Sequence, residues 1–229
     1  MLAGPESGVT ATLFTDIRSP MPTTATPGVR FELPALPFER HSLEPALSRA
    51  QIDLLYSHYH RHQLTTLNAA LAADDPRSLA TLAAEGPAHL RPAAAQAWGM
   101  TLFWHGLCAR PAPPETALEQ RVARDIGDWG AFEANWKQRV ISAAPGGFSW
   151  LGLTPEDTLT LVETPVGELP PGIRPLVAIP LCEEAYRIDF GHDRGAYFSA
   201  LWSRLNWETV MLLLGLPHER PQAMPPHAE

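Results

Sequence analysis

The sequence predicts an α+β fold, in which an N-terminal antiparallel hairpin of long helices precedes a C-terminal domain of helices and short strands. Apolar residues recur at helical spacing over two long stretches before residue 110. The proline-rich segment 111–114 then separates these stretches from the rest of the chain. Helical segments and short β-rich runs, bounded by Pro and Gly, follow this linker.

The first predicted helix extends from residue 48 to about residue 71. Ser48 is a good N-cap candidate, because its hydroxyl can accept a hydrogen bond from a free N–H of the first turn. The apolar residues that then recur at helical spacing are Ile52, Leu55, Tyr56 and Tyr59. A second helix is predicted from Ala93 to about Leu107, and Pro92 suits its first turn. Two long helices joined in this way form an antiparallel hairpin.

The segment after the linker predicts a mixed domain. Its strands are expected where short β-rich runs lie between Pro and Gly, and its helices where the apolar spacing is helical. The expected elements, in order, are helices at 117–126 and 131–143, strands at 158–162 and 176–179, and helices at 195–201 and 206–214. Together they predict an α+β domain.

The chain is therefore expected to form two domains between two flexible ends. Residues 31–110 make the helical hairpin domain, and residues 115–216 make the C-terminal α+β domain. Residues 1–30 are expected to be a flexible extension, and the proline-rich segment 217–229 a flexible tail. The first thirty residues lack the basic start and apolar stretch of a targeting signal.

Composition and charge exclude several classes of partner. The formal net charge of −8 argues against nucleic acid or an anionic membrane, because both reward clustered Lys and Arg. No run approaches the roughly 20 apolar residues that cross a bilayer. Cys108 and Cys182 are far apart in sequence and form no disulfide framework, which suits a reducing compartment. We therefore expect a cytoplasmic protein.

A series of short motifs runs from residue 31 to residue 214. The motifs are Phe31-Glu-Leu-Pro-Ala-Leu-Pro37, Leu43-Glu-Pro45, Ala94-Ala-Gln-Ala-Trp98, Phe103-Trp104, Gly147-Phe-Ser-Trp-Leu151, Glu183-x-Ala-Tyr186 and Leu205-Asn-Trp-Glu208. In content, order and spacing they resemble the iron/manganese superoxide dismutase family. The resemblance implies that family's fold, α+β, in which an N-terminal antiparallel hairpin of long helices is followed by a C-terminal α/β domain with a small antiparallel sheet.

The resemblance also implies a metal site, but this chain departs from the family at the ligands. In the family, three His and one Asp bind one iron or manganese ion. Met100 stands where the motif Gln-x-Trp-Asn-His ends, and Pro180 and Glu184 stand at the two ligands of Asp-x-Trp-Glu-His. Met offers only a soft sulfur and Pro offers no donor side chain. We therefore expect no catalytic residues of the dismutase kind and no bound iron or manganese.

The first ligand position is open between two registers. Counting without gaps from Phe31 to Asn68 places Leu55 there. A shift of three residues instead aligns His58-Tyr-His-Arg-His62 with the family's His-Tyr-Gly-Lys-His, at the cost of an insertion and a deletion. In that register His58 takes the position. His58 and Glu184 together are still too few ligands to hold the metal.

A two-fold interface is a further implication of the resemblance. The family's Glu that reaches across the two-fold axis is kept as Glu183, while Glu184 replaces a His and Arg187 replaces a Tyr. The surface expected to persist consists of Tyr59, His60, His62, Glu183, Glu184 and Arg187. It would join a homodimer, or a heterodimer with another protein of superoxide dismutase fold. Arg187 can equally pair with Glu183 along its own helix.

Two classes of function remain open. The first is a superoxide dismutase-like pseudoenzyme without a cofactor, which acts as a structural or regulatory binding protein and partners an active superoxide dismutase. The second is an enzyme after all: a superoxide dismutase or another metal-dependent oxidoreductase with the non-standard ligands His58, His62 and Glu184. It would hold Fe or Mn, or Zn at His58 and His62, which lie four residues apart. The replaced ligands favour the first class.

Overall fold

The computed structural model describes residues 30–72 and 74–217. The flexible extension predicted at 1–30 and the flexible tail predicted at 217–229 lie outside this range, apart from residues 30 and 217. Within it, a helical region precedes a region of helices and a three-stranded antiparallel sheet, so the predicted fold class is confirmed. The predicted linker lies in a stretch, residues 109–115, that carries neither helix nor strand.

The first helix, residues 49–70, is continuous but not uniform. It begins as an α-helix at Arg49–Ile52 (α1), continues as a π-helix at Asp53–His60 and ends as an α-helix at Arg61–Ala70 (α2). Ser48 caps it as predicted, because its Oγ accepts a hydrogen bond of 3.1 Å from the backbone N–H of Gln51. Hydrogen bonds in a π-helix span one residue more than in an α-helix, so the segment changes which side chains face the core.

The π-helical segment decides which residues of the first helix are buried. Leu55 and Tyr56 face inward, and the next buried residue is His60, four to five positions further on. The α-helical spacing of the sequence predicted Tyr59 instead, and Tyr59 is only partly buried. The inward stripe of the helix therefore carries a histidine where the apolar pattern suggested a tyrosine.

The second half of the hairpin consists of a short helix, Leu79–Glu85 (α3), and a long one, Arg91–His105 (α4). Pro92 lies in the first turn of α4, as predicted, where its missing N–H costs no hydrogen bond. Helix α4 packs against the first helix and α3, and also against a strand of the sheet. It is therefore buried along most of its length and joins the two domains.

The C-terminal domain begins with two helices and ends with three. Its elements, in order, are Thr116–Asp125 (α5), Trp129–Ser142 (α6), Phe148–Leu153 (β1), Leu159–Thr164 (β2), Arg174–Pro180 (β3), Arg187–Phe190 (α7), Arg194–Trp202 (α8) and Trp207–Leu214 (α9). The helices and strands predicted for this domain lie within a few residues of these bounds. A 3₁₀ turn, Glu183–Ala185, precedes α7.

The sheet has the strand order β2-β1-β3 with antiparallel pairing throughout. Its central strand β1 was not among the predicted strands. All six residues of β1 are buried, so it lacks the alternation of polar and apolar residues that marks a half-buried strand. Ser149 is tolerated there because its Oγ accepts a hydrogen bond from the indole N–H of Trp136 at 2.8 Å.

One large hydrophobic cluster extends from the first helix through α4 and the sheet to the C-terminal helices. The junction between the hairpin and the sheet is therefore part of the core, and the candidate site lies at this junction. Among the described residues, no helix is both long and apolar enough to cross a membrane.

Candidate functional site

The predicted ligand positions lie at the junction of the first helix, α4 and β3. Leu55 and Met100 are 2% and 0% exposed and belong to the main hydrophobic cluster. Pro180 is buried at the end of β3, opposite Phe148 of β1. Glu184 is partly exposed in the 3₁₀ turn that follows. Three of the four positions are thus interior, and only Glu184 reaches solvent.

Phe148 packs directly on the backbone of α4 beside Met100. A Cβ atom built on Gly99 would lie 2.7 Å from Cζ of Phe148 and 2.8 Å from Cε2. These distances are shorter than carbon atoms tolerate, so only glycine leaves room for the ring. Gly99 and Phe148 are therefore fitted to each other at the junction.

The side chains at these four positions do not fit an iron or manganese ion. Such an ion needs several imidazole and carboxylate donors, and Leu55, Met100 and Pro180 supply none. Glu184 alone supplies one carboxylate. Across residues 30–72 and 74–217, no three His, Cys, Asp or Glu side chains lie close enough together to hold a metal ion.

His60 is the one histidine of the first helix that lies inside the protein. Its Nδ1 accepts a hydrogen bond of 3.3 Å from the indole N–H of Trp104, so the neutral ring carries its proton on Nε2. Burial lowers the pKa of His60 to about 3, although the nearby Ala97 carbonyl acts in the opposite direction. His60 is therefore neutral at ordinary pH, and as a buried residue it adds nothing to the predicted surface.

His58 and His62 lie on the outer side of the same helix and are both exposed. They line an open groove of about 590 Å³ between the first helix and the turn that carries Glu184. The other residues of the groove are Leu54, Ser57, Tyr59, Arg61 and Thr65. The structure thus brings the three proposed non-standard ligands to one groove, but not close enough together to form a metal site.

Tyr59 lines this groove, and its hydroxyl and the Cys182 thiol are close enough to affect each other's pKa. Burial, with a smaller contribution from the Glu184 carboxylate, raises the pKa of the Cys182 thiol to about 12. Burial also raises the pKa of the Tyr59 hydroxyl. Both groups therefore stay protonated at neutral pH, and Cys182 is not an activated nucleophile, since only a thiolate attacks.

The segment that contains Glu183 and Arg187 lies on the surface. The two side chains are 53% and 70% exposed, and they approach within 3.9 Å as an ion pair four residues apart. Ile188 beside them is a large apolar side chain that is 51% exposed. An exposed pair at this distance contributes at most about 1 kcal/mol, so both charges remain available to a partner.

A buried glutamine that the sequence analysis did not single out holds this segment in place. The amide of Gln51 donates to the carbonyl oxygen of Glu184, and its Oε1 accepts from the backbone N–H of Ile188 at 2.9 Å. Ser48 adds two bonds to the Asp189 carboxylate, from its N–H at 2.7 Å and from its Oγ at 2.6 Å. The sequence signal that could have identified Gln51 is its position: an amide side chain one helical turn before Leu55, on the same inward face of the first helix.

Comparison with known proteins agrees with this architecture. Residues 30–108 match the α-hairpin domain of iron/manganese superoxide dismutases, and residues 114–212 match their C-terminal domain. The chain is 29% identical to the iron superoxide dismutases of Salmonella typhimurium and Escherichia coli over 185 residues, which covers 79% of this chain and 96% of each relative. It is 26% identical to that of Legionella pneumophila over 183 residues, 78% of this chain and 95% of the relative. Both domains of the fold are therefore matched, and the chain belongs to the iron/manganese superoxide dismutase family.

Proposed function

We propose that this chain is a pseudoenzyme of the superoxide dismutase fold, which lacks the iron/manganese site and acts as a structural or regulatory binding protein. The observation that carries the proposal is the burial of Leu55 and Met100 in the hydrophobic core. The burial of Leu55 and the exposure of His58 support the ungapped register, in which Leu55 takes the first ligand position. Apolar side chains there need no metal, whereas an unliganded His would leave a buried polar group at a cost of about 1–3 kcal/mol.

The proposed binding surface consists of Tyr59, His62, Glu183, Glu184 and Arg187, and we refer to it as the groove face. His60 is omitted because it is fully buried. Glu183 and Arg187 carry opposite charges on exposed side chains, so a two-fold partner can exchange their intrachain pair for two pairs across the axis. The partner is a second copy of this chain or an active superoxide dismutase.

Charge favours the active enzyme as the partner. In a homodimer the face brings Glu183 and Glu184 of both chains against two Arg187 side chains, an excess of carboxylates. A subunit with a His in place of Glu184 would remove part of this repulsion.

Cytoplasmic location belongs to the same proposal and is supported by the two unpaired cysteines, Cys108 and Cys182. The acidic net charge supports a protein partner over nucleic acid.

A second candidate function is a metal-dependent oxidoreductase, which the shared groove of His58, His62 and Glu184 favours. The two candidates are separated by the metal content of untagged protein and a superoxide assay on the same sample. The pseudoenzyme predicts substoichiometric iron and manganese and no turnover above that of the free metals. Stoichiometric iron or manganese with superoxide turnover would overturn it.

A further inference from the structure

His58 and His62 form a pair that resembles half of a metal site. They are four residues apart at the boundary of the π-helix and α2, and both line the groove. Four residues make slightly more than one turn of an α-helix and slightly less than one turn of a π-helix. In both cases the two imidazoles lie on neighbouring positions of one face, with Cβ atoms about 5–6 Å apart.

The surroundings of the pair allow a divalent cation. Arg61 is the cationic residue of the groove, and its Nε donates to the Ser57 carbonyl along the helix at 3.2 Å. Glu184 on the facing side of the groove offsets that charge. A pair of imidazoles attracts zinc-class ions, which prefer nitrogen donors and four ligands.

One chain cannot complete such a site. Within the described part of the chain, no third His, Cys, Asp or Glu joins the pair at metal-binding distance. His62 belongs to the groove face, and His58 is exposed in the same groove one helical turn before it, so a second copy that binds there can supply the missing ligands. Two-fold pairing of this face supplies two further imidazoles, which gives a four-histidine set.

We propose that a zinc-class divalent ion bridges two copies of this chain through the His58 and His62 pairs of both. This inference rests on the proposed binding face, and it makes self-association depend on the metal. The ion neutralises part of the carboxylate excess that Glu183 and Glu184 bring to a homodimer. Zinc therefore selects the homodimer over the metal-free monomer or heterodimer.

Sedimentation velocity of the untagged full-length chain tests the bridge, with Zn²⁺ added to protein first stripped with EDTA. We expect one zinc per two chains, a shift from the 25.1 kDa species towards the dimer, and reversal by excess EDTA. With zinc at about ten times its dissociation constant, linkage predicts roughly tenfold tighter dimerisation. His58→Gln and His62→Gln should each abolish the zinc effect, whereas His89→Gln, which removes an exposed imidazole outside the groove, should retain it.

The outcomes separate this inference from the proposed function. Identical sedimentation with and without zinc, or a zinc effect that persists in the His58→Gln/His62→Gln double variant, overturns the bridge. Neither result bears on the proposed pseudoenzyme function, which is tested by iron and manganese content and by superoxide turnover. Conversely, superoxide turnover by bound iron would overturn the pseudoenzyme, whereas the sedimentation result alone would still decide the zinc bridge.

Discussion

The ring of Phe148 occupies the space that a side chain at Gly99 would need. Cζ of the ring is 2.7 Å from the position of a Cβ atom on Gly99, immediately before Met100 in α4. Gly99 also differs from the family motif Gln-x-Trp-Asn-His, which has Asn immediately before the ligand His. The Phe148 ring therefore leaves no room for any side chain at position 99.

Gly99→Ala should therefore destabilise the protein, although Ala is the better helix former. We expect a loss of about 1–3 kcal/mol of unfolding free energy from overpacking, measured by urea denaturation. Gly130→Ala is the matched control, because it lies in α6 with no atom closer than 3.5 Å to the new Cβ. That change should be neutral or stabilise by up to about 1 kcal/mol. Phe148→Leu should rescue part of the Gly99→Ala loss, and a Gly99→Ala variant as stable as wild type would contradict the packing.

Met100→His should also destabilise the protein. The introduced imidazole would lie in a fully buried, apolar position with no ligand or hydrogen-bond partner, which costs on the order of 1–3 kcal/mol. Met100→Leu keeps the volume and should cost less than about 1.5 kcal/mol. Thermal unfolding of the three proteins decides the comparison. If Met100→His leaves the unfolding temperature unchanged without added metal, water reaches this position and the core is not closed there.

His60 predicts a defined loss of stability on acidification. The unfolded chain binds a proton at His60 below about pH 6.5, whereas the folded chain resists it down to about pH 3. Unfolding therefore takes up a proton in this window, and stability falls as pH decreases, by up to about 1.4 kcal/mol per pH unit. The lowered pKa of Asp125, about 2, affects stability only at lower pH, so the range from pH 6.5 to pH 4.5 isolates the histidine.

His60→Gln should remove this slope, because a glutamine oxygen can still accept from Trp104 and does not titrate. Urea denaturation at pH 6.5, 5.5 and 4.5 gives the slope, and His62→Gln serves as a control at an exposed histidine of the same helix. Parallel pH profiles for wild type and His60→Gln would show that His60 is not buried in the neutral form.

Arg187→Glu should prevent association through the groove face. The variant puts three carboxylates, at positions 183, 184 and 187, on one surface of each chain, and like charges across an interface cost several kcal/mol. Arg91→Glu reverses an exposed arginine elsewhere and should leave association unchanged. Light scattering of wild type and both variants, with and without an active superoxide dismutase, provides the measurement. A wild type that stays monomeric and binds no such enzyme would leave the face without a role.

The helices could be predicted from the sequence because their apolar spacing is regular, but three features could not. The central strand β1 is buried on both faces, so its composition resembles any buried segment. The π-helical turn shifted the inward position from Tyr59 to His60, and residue spacing alone does not reveal where such a turn lies. The Gly99–Phe148 contact likewise depends on two elements that are distant in sequence.

The hydrogen bonds that Gln51 and Ser48 make to residues 184–189 make the two domains depend on each other for stability. The segment that carries Glu183 and Arg187 owes its geometry to side chains more than a hundred residues earlier in the chain, so neither domain presents this surface alone. Opening of the turn and detachment of the first helix should accordingly be one cooperative event in hydrogen exchange, with equal protection at both ends. Loosening one end should therefore release the other, so the surface around Glu183 and Arg187 should respond to contacts made on the opposite domain.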